Sequence, residues 1–551
     1  MAVNKLKTEQ VETDMLCIGG GPAGLSAAIE ACELGARVLV ADKADTLRSG
    51  DAGMGNDHFR CYIPEVHGDD VEATIRDLAL TQAGGGRPHR FIKAFMERSF
   101  ETVKRWEQWG IPMKYEGRYE FAGHAYPGRP RYMLHYSGMD TKPLLTKEAR
   151  RVGARIMNHV MVFDLLKAGG NICGAIGVDT REPRLIVFRA KSVLLGTGKA
   201  MRLFPGPTPA WLFNTSTSPA NTGDGRAMAY RAGCELANLE LSTRWAGIKY
   251  FARNGKGSWM GVLRDPQGKP IGPFVTKPDR ESGDMTLDMY KGVYEDYAKS
   301  GRGPVYMDLG GMSDEDYQYM KYWLTHEANG AILDHLEGEG VDPRDHPIEF
   351  MTYGLITPGG VCYDENGATP VPGLYAAGDE YEGFFMAGAA VFGRIAGQNA
   401  GRYARAVQAP EIDVAQSEID RGKSLLEEVL DRDGGIGWQE ANIALQQVML
   451  DYCGLVRSDS ILQAGLVHLR RLKKKVREGI MAGNQHELMR ALEVLNLYDL
   501  GELVMTAARE RQETRGGHRR ADYPYTNPML NDQLLLVLKR NGEPGVAWKK
   551  K

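Results

Sequence analysis

Three kinds of hydrophobic pattern succeed one another along this chain. An apolar run over Asp14 to Ile18 has strand character, an Ala-rich amphipathic stretch covers Leu25 to Leu34, and a second apolar run from Arg37 to Ala41 ends at Asp42. Two later apolar runs, around Ala190 to Leu195 and Leu374 to Ala377, stop at small-residue turns. Strands alternating with helical stretches predict an α/β fold with helices packed on a parallel sheet. After Pro410 the pattern lengthens. Leu462, Leu466, Leu469 and Val476 recur at helical spacing, with Arg470, Arg471, Lys473, Lys474 and Lys475 on the remaining positions, which predicts long C-terminal helices. Between these regions lies a Gly- and charge-rich stretch with many aromatics, among them Trp245, Tyr250, Phe251 and Trp259.

The turn after the first run reads Gly19-Gly20-Gly21-Pro22-Ala23-Gly24, a GxGxxG spacing between a strand and a helix, with Asp42 closing the next strand. That order is the dinucleotide fingerprint. The glycines permit a tight turn and a close backbone approach, the helix N-terminus favours a pyrophosphate, and the acid accepts from ribose hydroxyls. FAD and NAD both use this opening, so the fingerprint leaves the choice between them open.

The chain has 551 residues, too many for one core, so two or three domains are expected. Charged residues make up 25% and the formal net charge is −3, which gives no electrostatic footprint for nucleic acid or an anionic membrane surface. The polar stretch Met1 to Asp14 lacks the apolar core of a secretory signal, and no run reaches the roughly 18 apolar residues of a spanning helix. Seven cysteines lie far apart without a CxxC pair. They offer no local zinc or iron–sulfur framework and suit a reducing compartment, so a cytoplasmic location is expected.

Five further segments carry a resemblance. They are Ala190 to Gly198, Asn221 to Ala229, Pro372 to Asp379 running on to Val391 through Gly397, Gly301 to Asp308, and Arg511 to Pro524. In order and content they resemble the ATG strand, TGDG loop, PGLYAAGE motif, GRGP-type strand and RxESRGxHxRxDYP signature of the fumarate reductase and succinate dehydrogenase flavoprotein superfamily. The GRGP-type strand is closest to the form in the adenylylsulfate reductase alpha subunit. The resemblance implies non-covalent FAD, since Gly50 stands near the position of the covalent-flavin His. It implies a Rossmann-like FAD-binding domain over residues 1–243 and 346–406, an inserted α+β capping domain over 244–345, and a C-terminal helical domain and tail over 410–551. The expected cofactor-binding residues are Gly19, Gly21, Pro22, Ala23, Gly24, Asp42, Lys43, Ser49, Gly50, Thr197, Gly198, Asp224, Gly378, Asp379 and Val391.

The family's fumarate-handling residues are missing. Gly283 stands at the proton-donating Arg position, Leu355 at the His position of the HYxMGG-like segment, and Glu380 to Gly388 is short and lacks the family's Arg. Losing these groups removes several charge-assisted hydrogen bonds, each worth about 1.5–3 kcal/mol, so fumarate and succinate are disfavoured. Phe384 and Phe385 stand where adenylylsulfate reductases carry an active-site His. The remaining candidates for chemistry are His58 after the Gly-rich loop, His124 in a segment dense in His, Arg and Tyr, Trp211 as a flavin-packing ring, and Arg244 with Lys249 and Arg253 in the cap. The resemblance implies an FAD-dependent oxidoreductase, similar to the alpha chain of adenylylsulfate reductase, that works on a small anionic substrate with an iron–sulfur, ferredoxin-like partner. Two alternatives are a reductase or dehydrogenase of another unsaturated acid, and an FAD-binding electron-relay subunit without its own substrate. The basic helix His468 to Arg477 and the tail Trp548 to Lys551 are candidate docking surfaces for an acidic partner.

Overall fold

The computed structural model describes residues 6–80, 86–121, 131–206, 208, 212–243, 246–249, 263–271, 296–297, 300–326, 330–352, 355–357, 359–381, 383–409 and 411–551. At its centre is a seven-stranded sheet. Arg155–Asn158, Val38–Asp42, Lys7–Ile18, Arg184–Leu195 and Leu374–Ala376 run parallel in that order, with Leu16 opposite both Leu39 and Val193. Asn171–Asp179 and Val160–Ala168 continue it antiparallel, pairing against the first half of Arg184–Leu195. The last half of that strand is thereby left to pair with Leu374–Ala376. Two strands separated in sequence by the whole inserted region thus end side by side.

The first strand is longer than its apolar run. Lys7 to Thr13, polar at every position but Val11, pairs with Arg184 to Ala190, a long-range register that local hydrophobicity does not announce. The first helix, Pro22–Glu33, lies against the helix Phe385–Ala406 along a stripe of small residues. A Cβ on Gly393 would come 2.5 Å from Ala23 O, and one on Gly397 2.4 Å from Ala27 O. Glycine at these two positions lets the backbones touch, and the buried Arg394–Glu30 pair (2.6 Å) and the Arg394–Thr102 bond (3.0 Å) lock the seam. The close approach carries the N-termini of both helices to the carboxyl ends of the parallel strands, where ligands of such sheets bind.

The inserted region has its own core, in which Ile248, Leu263, Val305, Met307, Trp323 and Phe350 are buried. Its antiparallel sheet takes the order Ala246–Ile248, Ile348–Thr352, Val305–Met307, Leu263–Arg264, backed by the helix Asp314–His326. The chain enters and leaves through one paired crossing, where Thr243 and Ile356 exchange backbone hydrogen bonds at 2.9 and 3.0 Å.

The C-terminal region contains the helices Gln416–Asp431, Trp438–Cys453, Asp459–Gly479 and Gln485–Glu510, and Leu462, Leu466, Leu469 and Val476 are buried as their spacing predicts. It is not helical throughout. Gln533–Arg540 and Glu543–Lys550 form a hairpin that joins Leu236–Ala237 and Gly360–Val361 in a four-stranded sheet. The expected basic tail is therefore an edge strand, with Lys551 Nζ bonded to Asn531 O (2.6 Å) and Lys549 3.6 Å from Glu235.

Candidate active site

A cavity of about 1530 Å³, its open mouth included, runs across the carboxyl ends of the parallel strands. At its middle is the glycine turn. Gly19 has φ +98°, and a Cβ there would lie 2.4 Å from Gly196 O; at Gly24 it would lie 2.0 Å from Gly19 O. Both glycines are required by the protein's own packing. Gly21 differs, because the nearest protein atom to a Cβ would be 3.9 Å away and its open side is the cavity wall. The helix that begins at Pro22 has no side-chain cap, so its first N–H groups and its dipole are directed at whatever anion lies over the turn.

Asp42 lines one end and fixes the turn. Its Oδ2 accepts from Gly20 N at 2.7 Å and its Oδ1 from Ala44 N at 2.8 Å. Ala41, Ala44 and the strand residues Val160 to Val162 complete that end. Toward the other end come Ser49, Gly50, Asp51, Asn56, Thr197, Gly198, Lys199, Ser216, Thr217 and Phe385. Lys199 is buried, with its ammonium 3.7 Å from Asp51 and 3.6 Å from Asp379. Lys142 reaches Ser49 O at 2.6 Å, and burial pushes its pKa down against the pull of Asp42 and Asp45. Three buried wall oxygens, Asp51 Oδ2, Ser216 Oγ and Thr217 Oγ1, make no hydrogen bond to the protein. An elongated polar dinucleotide fits this wall: an anion over the turn, hydroxyls along the sides and acceptors at both ends.

Most of the expected cofactor residues meet here. Gly19, Gly21, Pro22, Ala23, Asp42, Lys43, Ser49, Gly50, Thr197, Gly198, Asp224 and Asp379 all line the cavity. Gly24, Gly378 and Val391 do not, and lie behind its wall. Gly24 packs on Gly19, and a Cβ on Gly378 would meet Ala23 and Ala389 at 3.2 Å. Lys43 and Asp224 reach the wall with their charges engaged with each other at 2.7 Å, while Lys43 also meets Glu493 at 2.8 Å. Burial alone would raise the Glu493 carboxyl, but Lys43, Arg202 and Arg490 outweigh it and bring its pKa down to about 2. The C-terminal helix Gln485–Glu510 is thereby pinned to the cavity floor.

Sequence reasoning missed Lys199, Asp51, Lys142, Ser216, Thr217 and the Phe385 ring. Lys199 directly follows Gly198, so its adjacency was a usable signal; Lys142 opens a helix with no motif around it. His58 is 2% exposed and stands beside Phe385, edge to face at 6.3 Å, and off the wall itself. Its Nδ1 meets Asp57 Oδ1 at 2.5 Å, which sets the tautomer and ring orientation. Across the short strand pairing, His58 faces His135, whose Nδ1 is 3.2 Å from Tyr319 Oη on the cap helix. Phe384 turns away from the cavity and stacks on Phe95 at 4.0 Å. Leu355 is buried, and Lys249 pairs with Glu349 at 2.7 Å within the cap. His124, Trp211, Arg244, Arg253 and Gly283 lie outside the described residues.

Among the described residues no group of His, Cys, Asp and Glu is arranged to hold a metal ion, and no helix is long and apolar enough to cross a membrane.

Comparison with known proteins agrees with this geometry. Residues 14–390 match the FAD binding domain family, and residues 442–547 match the fumarate reductase flavoprotein C-terminal family. One subunit of the CoM/CoB fumarate reductase of Methanothermobacter marburgensis is 27% identical, covering 97% of this chain and 98% of the relative. The L-aspartate oxidase of Pseudomonas aeruginosa is 26% identical, covering 96% and 99%. Among solved structures, adenylylsulfate reductase of Archaeoglobus fulgidus superposes with a TM-score of 0.86 at 23% identity, covering 100% of this chain and 97% of that one. An Escherichia coli quinol fumarate reductase chain gives 0.81 at 20% identity, covering 99% and 97%. With the glycine turn, the acid and the elongated cavity already in place, these matches settle the class: the chain belongs to the fumarate reductase and succinate dehydrogenase flavoprotein family and is an FAD-dependent oxidoreductase.

Proposed function

We propose that this chain is an adenylylsulfate-reductase-like alpha subunit that exchanges two electrons between a small anionic substrate and an iron–sulfur partner. Bound FAD supplies the two-electron chemistry; the chain supplies position, charge and protons. The glycine turn and the uncapped helix hold the pyrophosphate, Asp42 the adenosine ribose, and Thr197, Asp51 and Asp379 the polar groups toward the ring end. The FAD is held without a covalent bond, since Gly50 takes the place of a linking His.

The observation that carries the substrate reading is the character of that end. One buried ammonium group, Lys199, lines it between Asp51 and Asp379, whereas Leu355, at the position of a carboxylate-gripping His, is an apolar core side chain. Such a wall offers an anion a single cation, already shared with two carboxylates, and no paired clamp for a dicarboxylate. His58, oriented by Asp57 behind the wall, is the candidate for handing on a proton.

Anaerobic mixing tests the reading. Adenylylsulfate restores the oxidised flavin spectrum of the reduced protein, and AMP with sulfite bleaches the oxidised one. Reoxidation by fumarate alone overturns this choice in favour of an unsaturated acid, the reading that a full-length relationship to a fumarate reductase supports. Silence with every small acceptor, with rapid exchange to a co-purified iron–sulfur protein, favours a relay subunit.

A further inference from the structure

Directly behind the cavity wall is a buried carboxyl that belongs neither to the fingerprint nor to the wall itself. Glu380 follows Asp379 in the turn Gly378–Tyr381 and is fully buried. Its Oε1 accepts both the backbone N–H and the hydroxyl of Thr197, each at 2.6 Å, and Thr197 Oγ1 in turn accepts from Gly225 N at 2.9 Å. Thr197 lines the cavity, so a single side chain separates this carboxylate from the cofactor space. Glu380 Oε2 makes no hydrogen bond.

The surrounding charges leave the group finely balanced. From the helix Asp224–Ala232 it faces Arg226, which favours the carboxylate, and Asp224, which opposes it. The Arg226 guanidinium also bonds to Thr357 O at 2.8 Å and Asp379 O at 2.7 Å. On its own turn it is flanked by Asp379, which faces Lys199, and by Tyr381, whose ring carries Arg87 at 3.3 Å; Tyr363 is the neighbouring phenol. Burial is the largest influence. It raises Glu380 to about 7 against the Thr197 bonds and Arg226.

We propose that Glu380 is a positioning residue that couples protons to flavin reduction, binding one proton when FAD bound in this cavity takes up two electrons. The added negative charge lies across Thr197 from the carboxylate, which makes the charged form less favourable and draws a proton from solvent onto the partnerless Oε2. The balance is simple. The two electrons, and the proton that accompanies them, go to the flavin from an added reductant or electrode, and Glu380 gains a second proton as its carboxylate becomes a carboxylic acid. No other bond is made or broken. The inference rests on bound FAD and on no choice of substrate.

The test is the pH dependence of the flavin midpoint potential in the FAD-loaded protein, between about pH 6 and 9. Each proton taken up per two electrons contributes about 29.6 mV per pH unit. The wild type is expected to show a steeper slope than Glu380→Gln, by up to one proton per two electrons, in a window that opens near pH 7 and extends above it, the difference vanishing well below that pH. Equal slopes in wild type and a folded, FAD-loaded variant overturn the proposal. Should the variant fail to retain FAD, the reduced-minus-oxidised infrared spectrum of the wild type decides. A new protonated-carboxyl band on reduction supports the assignment, and its absence overturns it. A wild type that binds no flavin would instead break the family assignment, a separate failure.

Discussion

From its middle to the Asp42 end, where the dinucleotide is gripped, the cavity is made of backbone. Gly19 and Gly24 turn the chain, the uncapped helix at Pro22 presents its N–H groups, and even Asp42 spends both oxygens on backbone N–H donors. At the opposite end it is made of side chains gathered from distant segments: Asp51, Lys199, Ser216, Thr217 and Phe385, with His58 and Asp57 behind. Backbone geometry admits few residue types, so the first end is tied to a motif. Side-chain chemistry can be rebuilt position by position on the same scaffold, so the second end is free to vary where the first is not.

Substitutions that separate the two ends sharpen this contrast. Gly24→Val has the largest expected effect, because a Cβ 2.0 Å from Gly19 O must displace the helix from the strand. Purified protein should carry no flavin absorbance, and wild-type flavin content would break the backbone account. His58→Ala acts at the other end alone, slowing turnover about 10²- to 10⁴-fold, the usual range for losing a general acid or base, with FAD content intact. A variant with normal turnover removes His58 from the chemistry; one without FAD makes it part of the scaffold.

Glu493→Gln tests the floor beneath the dinucleotide end. It leaves Lys43, Arg202 and Arg490 without their shared carboxylate, a loss of about 3–5 kcal/mol in unfolding free energy for a broken buried pair. The sign with pH follows from the depressed native pKa. Glu493 contributes its stability above the usual carboxylate range near 4.5 and loses it as pH falls toward about 2. Acid unfolding should therefore be shallower in the variant than in the wild type; identical acid limbs would remove Glu493 from the account. Asp42→Ala is milder, weakening FAD about 10- to 100-fold through one charge-assisted acceptor, with turnover at saturating FAD unchanged. A fall in turnover at saturation would show that the two ends are not separable.

Legibility in the sequence followed the range of the interactions. Gly19, Gly24 and Asp42 were readable because the contacts that demand them lie within a β-α-β unit of some thirty residues. The first strand's polar half was not, since its partner Arg184 to Ala190 is far along the chain. Lys43 and Asp224 show the same limit. Both reach the cavity, but their charges are settled by Glu493, which is 450 residues from Lys43. The tail was read as a docking surface because the sheet its hairpin joins is reached through Leu236–Ala237, a two-residue element without a pattern of its own that pairs with the hairpin strand Gln533–Arg540.

The basic helix shows the same limit and gives the smallest expected effect. Its row of cations suggested a docking face, yet most of it is used internally. Arg470 and Lys473 meet Glu502 at 2.7 Å each, and Lys473 and Arg477 meet Asp499 at 2.9 and 2.7 Å, on the acidic row of the helix Gln485–Glu510. Lys474, 3.9 Å from Glu478 and 78% exposed, and the exposed Arg471 and Lys475 are the cations of this cluster that the helix Gln485–Glu510 does not hold. Solvated charges of this kind are screened within about 8 Å at physiological salt and contribute little singly. Reversing Lys474 and Lys475 to Glu together should slow electron exchange with an acidic ferredoxin-like carrier by less than about threefold, with a shallow salt dependence. A tenfold loss that disappears at high salt would return the docking face to this helix and show that three solvated cations are enough to steer a partner.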